Sequence, residues 1–188
     1  MEPRNAKIEI LIDGCRNNSW QHREALYKQY YGYVKGVVIR YTHDYHVAEE
    51  LVNDSFLKIF SNLAFFNPSG QNTDLHLSFK SWMGKIASRT AIDFLRKKKA
   101  DFTEVSENHA VSNDTAGNPG TEVQEILRLV NGLPEVQRTV FNLYEIEGFS
   151  HEEIARLLNI NENVSRVYLS RAKEKLKKLY TTYILNKS

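Results

Sequence analysis

The chain has 188 residues, of which 41% are hydrophobic, 11% aromatic and 26% charged. These totals describe an ordinary globular chain with length for one domain or two small ones. No run of about 18 apolar residues is present to span a membrane, the first residues lack an apolar signal core, and a single cysteine, Cys15, excludes an intramolecular disulfide and a multi-cysteine zinc site, which fits a reducing cytosol. The formal net charge of +2 hides a segregation: residues 1–100 sum to +5, 101–121 to −4, 122–162 to −5 and 163–188 to +6, a pattern suited to a chain that meets a polyanion at two places.

Apolar residues recur at helical spacing through most of the chain, and strand signals are scarce. The first predicted helix runs from about Trp20 to Tyr41, with Leu26, Tyr30, Tyr33/Val34, Val37 and Tyr41 inward. A second spans about Tyr45 to Leu63, with Val47, Leu51, Phe56, Ile59, Phe60 and Leu63 inward. The stretch from Asn67 to Asp74 is rich in turn residues, and Pro68 and Gly70 break any helix there. A third helix spans about Ser78 to Lys99, with Phe79, Met83, Ile86, Ala87, Thr90 and Phe94 on its apolar arc. At 100° per residue, Lys85, Arg89, Arg96 and Lys99 fall within roughly 80° of one another on that helix, although Ile92 interrupts the basic face. Trp82 lies on the same helix, where an aromatic side chain at helical spacing is more often core than a stacking platform.

Residues 101–121 have no helical period and carry four acids and no base, which marks a flexible acidic linker. A helix is predicted over Val123–Asn131, and the next opens at Leu133-Pro134, with proline at the first helical position, and stops at Gly148. Ser150-His-Glu-Glu153 is a capping box. It starts a short helix with Ile154, Ala155, Leu157 and Leu158 inward, and His151 is expected to be exposed. After a three-residue break, Asn159-Ile-Asn161, a basic helix is predicted from Glu162 to about Tyr180.

A capped helix, a tight turn and a second helix is the layout of a helix-turn-helix. Ser165, Leu169, Ala172, Leu176 and Leu179 recur at steps of four, three, four and three residues and so face the core. Arg166, Ser170, Lys173 and Lys177 then take the outer face, flanked by Val167 and Arg171. Arginine can bind a guanine edge with two hydrogen bonds, Val167 can meet a thymine methyl, and the later lysines suit phosphates. A solvated basic helix would show the same period, but the capping box, the short break and the change to +6 favour DNA.

These motifs resemble a known family. Gly148-Phe-Ser-His-Glu-Glu-Ile-Ala-Arg-Leu-Leu158, Ser165-Arg166 and Leu169-Ser-Arg-Ala-Lys-Glu-Lys-Leu176 resemble region four of an extracytoplasmic-function (ECF) sigma factor of bacterial RNA polymerase, and Leu133 to Phe141 resembles that region's first helix. Ala48-Glu-Glu-Leu-Val-Asn-Asp-Ser-Phe-Leu-Lys-Ile-Phe60 is similar to the family's polymerase-binding helix, and Ser78 to Ala87 with Ala91 to Lys99 is similar to its promoter-melting segment. The resemblance implies an all-α fold of two small helical domains. A region-two-like domain over 1–100 binds core polymerase and the minus-ten element, a flexible linker covers 101–121, and a region-four-like helix-turn-helix over 122–188 binds the minus-thirty-five element.

The resemblance also implies roles for particular residues. Glu49, Glu50, Asn53, Asp54 and Phe56 match the polymerase-binding patch, with Phe56 as its apolar anchor. Lys85, Arg89, Arg96, Lys97, Lys98 and Lys99 match the minus-ten strand contacts, with residues 67–77 as the loop around a flipped base. Arg166, Val167, Ser170, Arg171 and Lys173 match the minus-thirty-five reader. Core RNA polymerase, promoter DNA and an anti-sigma factor are the implied partners, in the cytoplasm with the nucleoid and with no cofactor or metal. Arg89 stands where many members have asparagine, Asn159 replaces a turn glycine, and Val164, Val167 and Tyr168 depart from the commoner residues, so promoter sequence does not transfer.

Other readings predict different behaviour. His43-x-x-His46-x-x-Glu49 has metal-compatible spacing but no second ligand motif, and neither Cys15 nor any glycine-rich loop supplies catalytic machinery. A plain regulator would bind duplex without polymerase and use residues 20–100 to sense or dimerise. A scaffold acting through its acidic helix would be indifferent to Arg166→Ala.

Overall fold

An N-terminal helix lies where periodicity was too short to predict one. In the computed structural model, which describes residues 3–42, 44–68, 74–101 and 128–187, α1 covers Pro3–Arg16 and buries Ile8, Ile12 and Cys15, spaced four and three apart on one face. Burial pushes the Cys15 thiol up to about 11, so it is an inert core group. Asn18, in the left-handed region at φ 59°, turns the chain into α2 (Trp20–Val38).

The chain divides into two compact units, Met1–Lys97 and Lys98–Ser188. In the first, α2 packs on α1 and on α3 (Tyr45–Asn62), and a 3-10 turn, Leu63–Phe65, follows. Leu26, Tyr30, Val34 and Val37 are buried as their spacing predicts, and so are Leu51, Phe56, Ile59 and Leu63. Each fully buried side chain of this size contributes roughly 1.5–3 kcal/mol. Arg16 fastens α1 to the end of α3: its Nη2 donates to the Phe66 carbonyl at 2.7 Å and its Nε to that of Leu63 at 3.2 Å. The Leu63 carbonyl also accepts from the Phe66 N–H at 3.2 Å, and Phe66 follows the end of the 3-10 turn.

Helix α4 covers Leu75–Asp101 and begins three residues earlier than the sequence predicts. The reason is Asp74, whose carboxylate accepts from the backbone N–H of His76 at 2.9 Å and of Leu77 at 3.3 Å. Phe79, Met83, Ala87 and Thr90 are buried as expected, whereas Ile86 and Phe94 are half-buried. Ile92, the apolar interruption of the basic face, is 3% exposed and belongs to the core. The linker prediction, from residue 102 on, and the start of the Val123 helix lie outside the described residues.

In the second unit, residues 128–131 are helical, and the buried Arg138 donates from Nη1 to the Asn131 carbonyl at 3.1 Å. Helix α5 (Glu135–Phe141) starts one residue later than predicted, with Pro134 at its N-cap rather than at the first helical position. It runs on into a π turn, Asn142–Ile146. Gly148, at φ 69°, ends the helix as predicted, because that backbone conformation favours glycine. In α6 (His151–Leu158) the capping box is formed in both directions. Asn159 takes the left-handed turn position at φ 52°, a region asparagine enters at little cost. Helix α7 (Glu162–Lys187) extends beyond the predicted end. Ser165, Leu169 and Ala172 are buried, and Leu176 and Leu179 are half-buried against the same side. Among the described residues every regular element is helical.

Candidate polymerase and nucleic-acid interfaces

The acidic face of α3 separates into committed and free groups. Glu49 is committed: Lys35 Nζ sits 2.5 Å from its carboxylate and the Tyr31 hydroxyl donates to it at 2.6 Å. Lys35 first, then Tyr31, holds Glu49 below the usual carboxylate range, and the same contact with Glu49 raises Lys35. This engagement also removes Glu49 from the His43-x-x-His46-x-x-Glu49 spacing; His43 lies outside the described residues. Asn53 accepts a hydrogen bond from the Tyr27 hydroxyl at 3.0 Å while remaining exposed. Glu50 and Asp54, one helical turn apart, are exposed, and among the described residues their side chains make no ion pair or hydrogen bond.

Phe56 does not fill the role of apolar anchor. It is 2% exposed, with its ring 4.5 Å from that of Tyr27 and 5.9 Å from that of Phe60, so it holds α3 on α2. The neighbouring Leu57 is 66% exposed and lies on the stripe of Glu50 and Asp54, seven and three residues along. Helical periodicity already placed Phe56 inward, and Leu57, 100° further round, falls on the outer face; only the resemblance put Phe56 in the docking patch.

On α4, Arg89, Arg96 and Lys97 are exposed and Lys85 is half-buried. Arg96 is paired with Asp93 at 3.2 Å; the side chains of Lys98 and Lys99 lie outside the described ones. Trp82 is half-buried between Phe79 and Phe66, with centroids at 5.7 and 5.2 Å. It is engaged in packing rather than presented for stacking.

On α7, Arg166, Val167, Ser170, Arg171 and Lys173 are all exposed on one side. Asn161 caps this helix, its side chain accepting from the Asn163 N–H at 2.9 Å. Two cations already have carboxylate partners: Arg166 pairs with Glu162, and Lys173 pairs with Glu145 of the π turn at 2.6 Å. His151, expected to be exposed, is half-buried: its Nδ1 lies 3.0 Å from the hydroxyl of the fully buried Ser165, and its ring stacks on Tyr144 at 4.4 Å. The small serine leaves room for the imidazole, which fixes α6 to α7.

Burial, then the Arg166 cation, pushes His151 down, while Glu162 opposes and Lys173 assists. A depressed histidine favours the neutral form on folding. Its contribution is therefore present above the ordinary histidine range, near 6.5, and is lost as pH falls through the lower folded value. Thermal unfolding of the full chain between about pH 5 and 7.5 is expected to show this loss on the acid side. In His151→Gln that part of the pH dependence should flatten; an unchanged profile would assign the acid sensitivity elsewhere.

With these surfaces described, the relatives become informative. The family model for Sigma-70 region 2 matches residues 26–100, and that for Sigma-70 region 4 matches residues 123–176. The chain is similar to RNA polymerase sigma factor YlaC of Bacillus subtilis, 31% identical over 175 residues covering 86% of this chain and 95% of that relative. The chain belongs to the ECF sigma factors. Another relative is the ECF RNA polymerase sigma factor SigM of Bacillus subtilis, 26% identical over 84% of this chain and 94% of that one. The fold is also that of the sigma factor RpoE solved with the anti-sigma factor NepR from Bartonella quintana, at a TM-score of 0.50, 21% identity and coverage of 84% of this chain and 96% of that one. As a sigma factor, the chain binds core RNA polymerase and directs transcription initiation at particular promoters. Among the described residues no helix is long and apolar enough to cross a membrane.

Proposed function

We propose that this sigma factor docks on polymerase through the α3 face bearing Glu50, Asn53, Asp54 and Leu57. Glu49 serves that face from behind, through its bond to Lys35. The α4 residues Lys85, Arg89 and Arg96 to Lys99 hold the minus-ten strand, and Arg166, Val167, Ser170, Arg171 and Lys173 of α7 read the minus-thirty-five element. Residues 1–100 and 122–188 act as separate modules across the 101–121 linker, so that two weak DNA contacts at a limited separation reinforce each other. The factor has no active site of its own and works in the cytoplasm, at the nucleoid, with polymerase performing the chemistry. An anti-sigma factor that covers the same faces restrains it.

The observation that carries this reading is the contrast between two exposed helix faces. On α3, two unpaired carboxylates flank an exposed leucine, a mixed acidic and apolar patch suited to a basic protein helix. On α7, arginines and lysines surround an exposed valine behind a capped helix-turn-helix, a surface suited to the major groove. Run-off transcription by bacterial core polymerase on genomic fragments, including the chain's own upstream region, tests it. Discrete transcripts that require the chain and fall about tenfold or more with Arg166→Ala are expected, since a bidentate arginine–base contact is worth roughly 1–3 kcal/mol. Duplex binding without any transcript would favour the plain regulator.

A further inference from the structure

Among the described residues, Lys173 is the one α7 candidate tied to a carboxylate on another element. Glu145 reaches it from the π turn at 2.6 Å, with the two side chains 33% and 55% exposed. The pair is wet enough to break and close enough to cancel one positive charge on the DNA-facing side of the free protein. A phosphate that takes Lys173 must break this pair and also leave Glu145 unpaired beside a polyanion.

We propose that Glu145 is a positioning residue that withholds Lys173 from DNA and so restrains the binding of α7 to any duplex. This deepens, and rests on, the reading of α7 as the groove-reading helix. On a random duplex nothing fixes the helix in register, and the exchange of Glu145 for a phosphate returns little. On a promoter the base contacts of Arg166, Val167 and Ser170 pin α7 in place, a phosphate is held beside Lys173, and the exchange goes through. The Glu162–Arg166 pair resembles this arrangement, but Glu162 opens α7, where an acid also favours the helix start. Its removal would mix two effects, whereas Glu145 is outside α7.

The test compares the full chain with Glu145→Gln, Lys173→Gln and the double variant, by fluorescence anisotropy on a promoter duplex from the run-off assay and on a scrambled duplex of equal length. Glu145→Gln is expected to bind the scrambled duplex about two- to fivefold more tightly, the range of an exposed ion pair. Its dependence of log affinity on log salt should steepen by about one phosphate contact. The promoter duplex should gain at least as much, because there the parent has to break the pair to seat Lys173, and the gain should vanish in the Lys173→Gln background. An unchanged or weaker affinity for Glu145→Gln, accompanied by a lower melting temperature, would mean that the pair only ties the π turn to α7. A gain that persists without Lys173 would make Glu145 a general repulsive charge; either outcome overturns the proposal. If Arg166→Ala weakens duplex binding while Glu145→Gln does nothing, the proposal falls alone. If neither Arg166→Ala nor Lys173→Gln alters binding, the reading of α7 falls with it.

Discussion

Glu50→Arg is expected to reduce affinity for core polymerase by a factor of about 100 or more, and Leu57→Asp by about 30-fold, while both variants melt close to the parent temperature. The first change places a cation on the proposed docking face, which suits a basic partner surface, and like charges juxtaposed in an interface cost several kcal/mol. The second removes the proposed apolar anchor, an exposed leucine flanked by charge, the kind of position where truncation costs about 2 kcal/mol or more. Neither should disturb folding, because Glu50 is exposed and unpaired and Leu57 is 66% exposed. Phe56→Ala provides the contrast. It removes a side chain that is 2% exposed and packed on Tyr27, and should cost about 3–5 kcal/mol of stability. Any loss of polymerase binding in that variant would then follow unfolding. Binding to labelled core polymerase, measured beside thermal melts, separates the cases. Leu57→Asp binding as tightly as the parent would remove Leu57 from the interface.

The helix-turn-helix was legible because several local signals agree there. Ser150 and Glu153 form the predicted capping box, Gly148 and Asn159 adopt the positive φ that their positions require, and Ser165, Leu169 and Ala172 are buried at their predicted spacing. Helix α1 was not legible: its buried stripe has three members, the exposed Ile10 blurs the period, and much of its anchoring comes from Arg16 reaching carbonyls 47 and 50 residues away. The early start of α4 depends on a single capping carboxylate, Asp74, at the end of a stretch otherwise read as turn. The candidate sites were legible as faces but not as contacts. Pairing decides which carboxylates on α3 are free, and the Lys35–Glu49, Glu145–Lys173 and His151–Ser165 contacts join residues 14, 28 and 14 apart, beyond the reach of helical periodicity.

Phe79→Ala should strongly destabilise the first unit while leaving the second intact. Phe79 is fully buried at the centre of an aromatic cluster, with ring centroids 5.6 Å from Tyr30, 5.1 Å from Phe66 and 5.7 Å from Trp82. It thereby joins α2, the segment after the 3-10 turn and α4. Edge-to-face rings add about 0.5–1.5 kcal/mol each beyond their burial, and Phe→Ala in a core costs about 3–5 kcal/mol. A domain of about 100 residues is stable by roughly 5–15 kcal/mol, so most of that margin disappears. None of the cluster belongs to the Lys98–Ser188 unit, whose own core contains Val140, Leu143, Phe149 and Ile154. Calorimetry should therefore show one transition lowered and another unmoved. Minus-thirty-five duplex binding should be retained, and promoter-specific transcription, which needs both modules, should be lost. A single transition that shifts as a whole, with duplex binding lost in step, would show that the two units fold as one cooperative body, and the modular reading of the chain would have to be given up.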